Sequence, residues 1–559
     1  MRRLASIVLT TGMCATLACS GGTSSTGTGG TGTTGNAGTT GSAGTTGSAG
    51  TTGAAGASGR GGATAGTGGG VAGTGGSTGG AAAGRGGSAA GTGGATGGAG
   101  GRGGTTGAGG TGGAAGRGGT TGAGGTTGAG GTTGSGGTGG TTTTLADPCR
   151  GTAVPTTAHY VPTGMCARQI ASGQGALRQL TFSSNGDLWG VNEDGQIKRF
   201  RDANGDGVFQ TAEIVNWAST GGNGQNVHID EAGGHLYSGT TAGVRRWAWS
   251  NTTNSGANPQ EVMTGQPGSG GHPKHTVHVW DNWMYVQSGS DGNVSSTSTT
   301  SYDTGRNLIR RFNISSFSGT AFTWTSGEIF ADGTRNVLGF NRDGMGRMYG
   351  VQNGQDNVMY GGADVHNDNP GEVILRLEAG SHHGYPFCFT AQRINSLAPG
   401  TQVVSEIFPG NPRDDAWCQN TTNVTRPVTF MQAHAAPMDI VFFTSAAPAG
   451  NLPERWRNGA FVSLHGSWNR SPATGYRVVW VPFAADGTST MPTNSGSTTT
   501  FPGEVVLSGG NGTTSQDGTW NAGAETNVRP VGVAVSPVDG ALYISSDTAG
   551  YVYRVGLQR

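Results

Sequence analysis

The sequence predicts an all-β protein, a six-bladed β-propeller over residues 146–559, preceded by a lipoprotein signal and a Gly/Thr-rich disordered linker. Three observations predict it. A unit of short alternating strands and Gly-containing turns recurs six times; the first aromatic positions of the unit, Trp189, Tyr237 and Tyr285, are each 48 residues apart; and helical periodicity is nearly absent. A period of about 40 to 50 residues over several copies is the signature of radially arranged four-stranded sheets, which leave few open sheet edges.

Residues 1–19 read as an export signal. Arg2-Arg3 form a basic start, and Leu4 to Leu17 is apolar but too short to span a bilayer. The run closes on Thr16-Leu17-Ala18-Cys19. This resembles the bacterial lipobox, in which the cysteine is lipidated and becomes the mature N-terminus, so Cys19 is the expected anchor and the expected location is the periplasm or the outer surface. Residues 20–145 are almost entirely Gly, Thr, Ala and Ser, with no acidic or aromatic residue. Such a chain buries too little apolar surface to offset the entropy of ordering it, and is expected to be a flexible tether spanning roughly 60 Å.

The formal charge of zero hides an asymmetry. Six of the 32 basic residues precede Asp147 and none of the 32 acidic ones do, leaving 26 against 32 from there on, or about −6. An acidic folded region argues against nucleic acid as a partner. Membrane contact is expected only through the lipid.

The six units follow in order. The first runs Leu180-Thr-Phe182, the turn Asn185-Gly-Asp187, Leu188-Trp189, then Ile197-Lys-Arg199-Phe200. The next four centre on Leu236-Tyr237, Met284-Tyr285, Met348-Tyr349 and Phe461-Val462, and the sixth on Leu542-Tyr543. Alternation of apolar and polar residues between Asn-Gly, Asp-Gly and Gly-Gly turns is that of antiparallel hairpins. The longer spacing in the later copies places insertions between blades four and six.

Four cysteines, Cys149, Cys166, Cys388 and Cys418, lie in the propeller region. Outside the cell these are expected to form disulfides, and proximity favours Cys149 with Cys166 and Cys388 with Cys418; no CxxC spacing suggests zinc. Between the third and fourth strands of the first unit stands Asp202-Ala-Asn204-Gly-Asp206-Gly207-Val208-Phe-Gln210-Thr-Ala-Glu213. Oxygen donors at positions 1, 3, 5, 9 and 12, the Val208 carbonyl at 7 and glycine at 6 make the pattern of a calcium loop. Its place in the blade gives it a structural role.

Two further sets point to chemistry. His272, His275 and His278 crowd the entry to the third inner strand, and His272 lies where loops line the axial mouth, positioned to act as a general base. Arg335-Asn336 and Arg529 precede the inner strands of blades four and six, while His465, Trp468 and Arg470 follow the second strand of blade five. Planar guanidinium groups converging on one mouth suit a ligand with several carboxylates, and Trp468 offers a face for stacking.

These segments together resemble the soluble quinoprotein glucose/sorbosone dehydrogenase family, especially its sorbosone dehydrogenase-like branch. Gly271-His272 is similar to the family's "GH-x-x-R-T" stretch and Gly333-Thr-Arg335-Asn336-Val-Leu-Gly339 to "GLRNPxG". Val351-Gln-Asn353-Gly354-Gln-Asp356 resembles "DNGRD", Pro370-Gly-Glu372-Val373-Ile374 "PDELN", His383-Gly-Tyr385-Pro386-Phe-Cys388 "YGWPYC", and His465-Gly-Ser-Trp-Asn-Arg470 with Gly475-Tyr476-Arg477 "HGSWNR…GYKV". The likeness covers about residues 165 to 557 and keeps motif order. It departs at His275, Val337 and Gly371-Glu372-Val373-Ile374, where the family carries Arg, Pro and "DELN".

The resemblance implies a dehydrogenase dependent on pyrroloquinoline quinone (PQQ) and Ca2+, which oxidises an aldose or related sugar or aldehyde by hydride transfer to the quinone and passes electrons to an acceptor. It implies His272 as the base and Arg335 as the group steadying developing negative charge. Arg335, Asn336, His465, Trp468, Arg470, Arg477 and Arg529 would then contact the cofactor. The rival reading is a surface-tethered carbohydrate-binding or interaction propeller without a cofactor.

Overall fold

The computed structural model describes residues 147–154, 159–295, 305–471, 473–491, 503–509 and 528–559. The expected signal with Cys19, and the expected linker, lie outside the described residues. The described residues fold into six blade sheets, antiparallel but for a parallel edge strand on two of them, and two small two-stranded sheets, with a single five-residue α-helix at Asp415–Gln419 and otherwise only 3-10 turns.

Each blade begins at the axis. The inner strands are Leu177–Phe182, Val227–Asp230, Val277–Trp280, Gly339–Arg342, Pro437–Phe442 and Pro530–Val535. In every blade the next strand is the apolar-aromatic segment read from the sequence, for example Leu188–Asn192 and His235–Gly239. Leu188, Trp189 and Val191 in the first of these are all buried, because a middle strand is covered on both faces by neighbouring blades. Their packing is aromatic: Trp189 meets Trp217 of the same blade edge-on with centroids 5.4 Å apart and Trp249 of blade two at 6.3 Å. Each such side chain contributes about 1.5–3 kcal/mol by leaving water.

Polar side chains on or beside the inner strands clasp the blades to one another, adjacent ones and ones facing each other across the axis. Asn226 exchanges two hydrogen bonds with the Val277 backbone, at 2.7 and 3.0 Å. Asp439 accepts from the Val533 amide at 3.0 Å, and Ser545 donates to the Arg178 carbonyl at 2.6 Å. Gln179 donates to the carbonyls of both Leu338 and Met438, at 2.9 and 3.0 Å. Leu338 and Met438 pack with Val531 into a small apolar cluster drawn from three blades. The C-terminal halves of the inner strands line a cavity of about 260 Å³ that includes Thr181, Phe182, His278 and Asp439. It lies at the end of the axis opposite the loops that precede the inner strands.

The ring closes by joining the two ends of the propeller region. Met165–Ala171 pairs antiparallel with Tyr551–Leu557, setting Arg168 opposite Arg554. Arg554 is 2% exposed and donates to the carbonyls of Asp147, Pro148 and Arg150, which pins the incoming chain over the seam. Disulfides join Cys149 to Cys166 in this clasp and Cys388 to Cys418 in the blade-four insertion. That insertion, which follows the fourth blade's third strand, Glu372–Leu377, also carries the lone helix.

Candidate functional site

One end of the axis is surrounded by the loops that lead into the inner strands. His272, Lys274, Arg335, Asn336 and Arg529 all sit on these loops, and Arg178 is the second residue of the first inner strand.

His272 is held from one side. Its Nδ1 lies 3.0 Å from the Ser290 carbonyl oxygen and 2.8 Å from Ser290 Oγ. A carbonyl only accepts, and Ser290 Oγ spends its own proton on the Gly292 carbonyl at 2.7 Å. Nδ1 therefore carries the hydrogen, and Nε2 keeps its lone pair for a proton. Burial, and then the nearby Arg335 charge, push the imidazole pKa down to about 4, so it is neutral at pH 7. Between His272 and Asn336 stands Gly289. A Cβ there would fall 2.7 Å from His272 Cβ and 2.9 Å from Asn336 Oδ1, so only glycine lets the two side chains stand together.

Arg335 is 5% exposed and fixed by a fork of acceptors. Its Nη2 lies 2.9 Å from Asp356 Oδ2 and 3.1 Å from Asn293 Oδ1, and Asn293 Oδ1 also accepts from the Asp356 amide at 2.7 Å. Asn336 donates to Asn353 Oδ1 at 2.9 Å, while its own Oδ1 is buried without a partner. Behind them Glu372 accepts from the Gly354 amide at 2.7 Å, and burial pushes its pKa up to about 8, so it is a neutral acid at pH 7.

A second set of charges adjoins the same mouth. Arg178, 4% exposed, donates twice to Gln225 Oε1, at 3.2 and 3.1 Å. Its Nη1 lies 3.4 Å from Glu193 and 3.5 Å from Asp547. Lys274 reaches the same Glu193 oxygen at 3.1 Å. His465 Nε2 lies 2.7 Å from Asp547 Oδ2, and the other oxygen of Asp547 is buried with no partner. Arg529 is exposed, and its charge acts on Arg178, His465 and Asp547.

The remaining residues singled out by the sequence are placed differently. Trp468 is 79% exposed. Arg470 is turned onto the segment between the second and third strands of blade four, with Nη2 3.0 Å from Asp368 and Nε donating to the Asn367 carbonyl at 2.8 Å. Arg477 is 0% exposed within the third strand of blade five and donates to Gln432 at 3.0 Å, so it lies beneath the surface of the mouth. His275 is buried, and His278 sits on the inner strand, stacked on Trp280 at 4.5 Å. In the 202–213 loop the oxygens face the loop's own amides. Asp202 accepts from Asp206 and Gly207, Asn204 from Asp206, Asp206 from Val208 and from the Gln210 side chain, and Glu213 from Ala203, Asn204 and Gln210. Among the described residues no group of three or more His, Cys, Asp or Glu is gathered as a metal site.

Arg178, Lys274, Glu193, Asp547 and Ser290 escaped the sequence reading. A signal for two of them was present: Arg178 and Lys274 stand just ahead of apolar inner-strand residues, the placement that singled out Arg335 and Arg529. The resulting site offers a neutral proton acceptor beside a fixed cation, with further cations and two orphaned oxygens close by. It can take a proton and hold negative charge. None of its side chains accepts an electron pair.

A family model described as TrAA12-like matches residues 159–558. The chain is 27% identical over 425 residues to the pyrroloquinoline quinone-dependent pyranose dehydrogenase of Coprinopsis cinerea, covering 72% of this chain and 55% of that protein. It thus spans about half the length of that curated relative. To the pyrroloquinoline quinone-dependent sugar dehydrogenase of Hypocrea jecorina it is 26% identical over 410 residues, covering 69% of this chain and 86% of the relative. Among solved structures, the holo form of the pyranose dehydrogenase PQQ domain from Coprinopsis cinerea superposes with a TM-score of 0.61 at 27% identity, over 73% of this chain and 99% of that one. The calcium structure of a Trichoderma reesei carbohydrate-active enzyme of family AA12 gives a TM-score of 0.62 at 24% identity, over 74% and 99%, a likeness of fold.

Proposed function

Because the chain belongs to the TrAA12-like family, we propose that its propeller is a sugar dehydrogenase that binds pyrroloquinoline quinone and calcium at the His272–Arg335 mouth. Its substrate is an aldose or related sugar or aldehyde. The observation that carries this reading is a tautomer-fixed, neutral His272 within the field of a buried, forked Arg335, whose neighbour Asn336 it meets across Gly289.

The residues present fit such a cofactor. Asn336 Oδ1 and Asp547 Oδ1 are buried acceptors without partners, the kind of oxygen that a hard cation takes up. Gln225 Nε2 is a buried donor without a partner. Arg178, Lys274 and Arg529 supply positive charge for carboxylates. When bound, the quinone supplies the two-electron acceptor that the side chains lack.

His272 Nε2 takes the proton from the carbinol hydroxyl as the carbon is oxidised, and the resulting imidazolium is held through Nδ1 by Ser290. Arg335 cannot rotate away, because Asp356 and Asn293 grip its Nη2, so its charge is in place before negative charge develops. Trp468, exposed on the loop after His465, supplies a flat face for the sugar or the cofactor.

The Asp202–Glu213 loop is a second calcium site in this reading, supported by its spacing. Lipidation of Cys19 and the tether of residues 20–145 would place the propeller outside the cytoplasm, supported by the sequence alone. The test is reconstitution of the purified protein with pyrroloquinoline quinone and calcium. Aldose-dependent reduction of a dye, lost in His272→Ala, supports the reading. Sugar binding without quinone binding or turnover would replace it with the cofactor-free propeller.

A further inference from the structure

Glu193 stands apart from the other charges at the mouth. It lies in the tight turn between Leu188–Asn192 and Gln196–Phe200, and its side chain is 44% exposed. From there it bridges two cations, Arg178 at 3.4 Å and Lys274 at 3.1 Å, through one oxygen. Its partners are far less exposed, at 4% for Arg178 and 20% for Lys274.

The two cations do not need Glu193 equally. Arg178 is already anchored by two bonds to Gln225 and faces Asp547 at 3.5 Å, so it stays in place if Glu193 leaves. Lys274 has no other ion pair among the described residues. With Glu193 in place, three cations (Arg178, Lys274, Arg529) meet two carboxylates (Glu193, Asp547). With Glu193 swung outward on its exposed turn, two positive charges remain uncompensated at the end of the axis. A carboxylate on a half-exposed side chain thus fills the place where a ligand carboxylate would gain most.

We propose that Glu193 is an internal stand-in for a ligand carboxylate, a latch that occupies the Arg178–Lys274 anion site and is displaced when an anionic cofactor docks. This rests on the reading of the mouth as a carboxylate-binding site. It adds to that reading a residue that lowers affinity and keeps the empty pit from carrying unpaired buried cations. The latch would discriminate between ligands. A single weak anion gains little by trading places with Glu193, whereas a ligand with several carboxylates and a stacking ring gains contacts beyond the exchange.

The experiment compares the full chain with its Glu193→Gln and Asp194→Asn variants. Asp194 is the exposed neighbour in the same turn and makes no ion pair among those described, so Asp194→Asn removes the same charge without opening the site. Phthalate, a small aromatic dicarboxylate, is titrated calorimetrically at low salt, and pyrroloquinoline quinone with calcium is titrated by fluorescence. The latch predicts that Glu193→Gln binds phthalate about fivefold tighter or more, Asp194→Asn within about twofold of the parent. It also predicts that Glu193→Gln/Lys274→Met loses the gain. Equal effects of the two single substitutions, or no phthalate binding by any form, would overturn it. Failure of the quinone to bind while the phthalate difference stands would remove the proposed cofactor and leave the latch. Equal quinone binding with no phthalate difference would do the reverse.

Discussion

Removing the Arg335 charge should move the acid limb of the activity profile to higher pH. Arg335 is the largest charge acting on His272 after burial itself, and together they hold the imidazole at about 4 rather than 6.5. Burial is the larger cause of the depression, so Arg335→Gln should raise the His272 pKa above about 4 without restoring it to 6.5. The sign is fixed by the charge: losing a cation favours imidazolium, so the neutral base is titrated away earlier as pH falls. Arg335→Lys separates charge from geometry. It keeps the charge but loses the fork on Asp356 and Asn293, so its limb should stay near the parent's while kcat falls. The assay is kcat/KM against pH in the reconstituted protein, paired with an NMR titration of the His272 ring. A parent limb at 6.5, or a limb that Arg335→Gln leaves in place, would refute the placement of these two groups. The same depression makes His272 a stabilising group above pH 6.5. That contribution, about 3 kcal/mol, is lost progressively as pH falls from 6.5 through about 4.

Other expectations follow from the same contacts. Opening the Cys149–Cys166 bond, which closes 17 residues, as the Cys149→Ser/Cys166→Ser pair should cost about 3 kcal/mol and lower the melting temperature by a few degrees in calorimetry. An unchanged melting temperature would show that Arg554 alone holds the clasp. If the 202–213 loop binds calcium, millimolar calcium should raise the melting temperature of the parent, and Asp202→Ala with Asp206→Ala should abolish the loop's share, whereas identical calcium responses would remove the loop as a site. Trp468→Ala should leave the melting temperature unchanged, because the ring is 79% exposed, while raising KM for the sugar or Kd for the quinone about tenfold. If neither binding constant moves, the ring is not a stacking face.

The blades were legible because each middle strand is buried on both faces, which forces an uninterrupted apolar-aromatic stretch such as Leu236-Tyr237 or Leu542-Tyr543 into the sequence. His272, Arg335 and Arg529 were legible for a different reason. They sit just ahead of those strands, and a propeller delivers all such positions to one end of its axis. The partners were not legible. Ser290 and Asp547 occupy loops after other strands, the motif that holds Asp356 does not say what it binds, and only the packing of blade six against blade five brings Asp547 within 2.7 Å of His465, 82 positions earlier. Arg477 illustrates the opposite limit. Its motif placed it with the cofactor ligands, yet strand alternation in Arg477–Val481 turns it into the blade, where Gln432 receives it. The register of a buried strand, which the motif does not encode, decides that orientation.

The most direct measurement is the location of the cofactor itself, from difference density in crystals grown with pyrroloquinoline quinone and calcium. Density bounded by His272 Nε2, Arg335 and the Arg178–Lys274 pair, with Glu193 turned away, is the predicted result. Density elsewhere on the propeller, or an unchanged mouth in crystals whose protein has taken up the quinone, would contradict it.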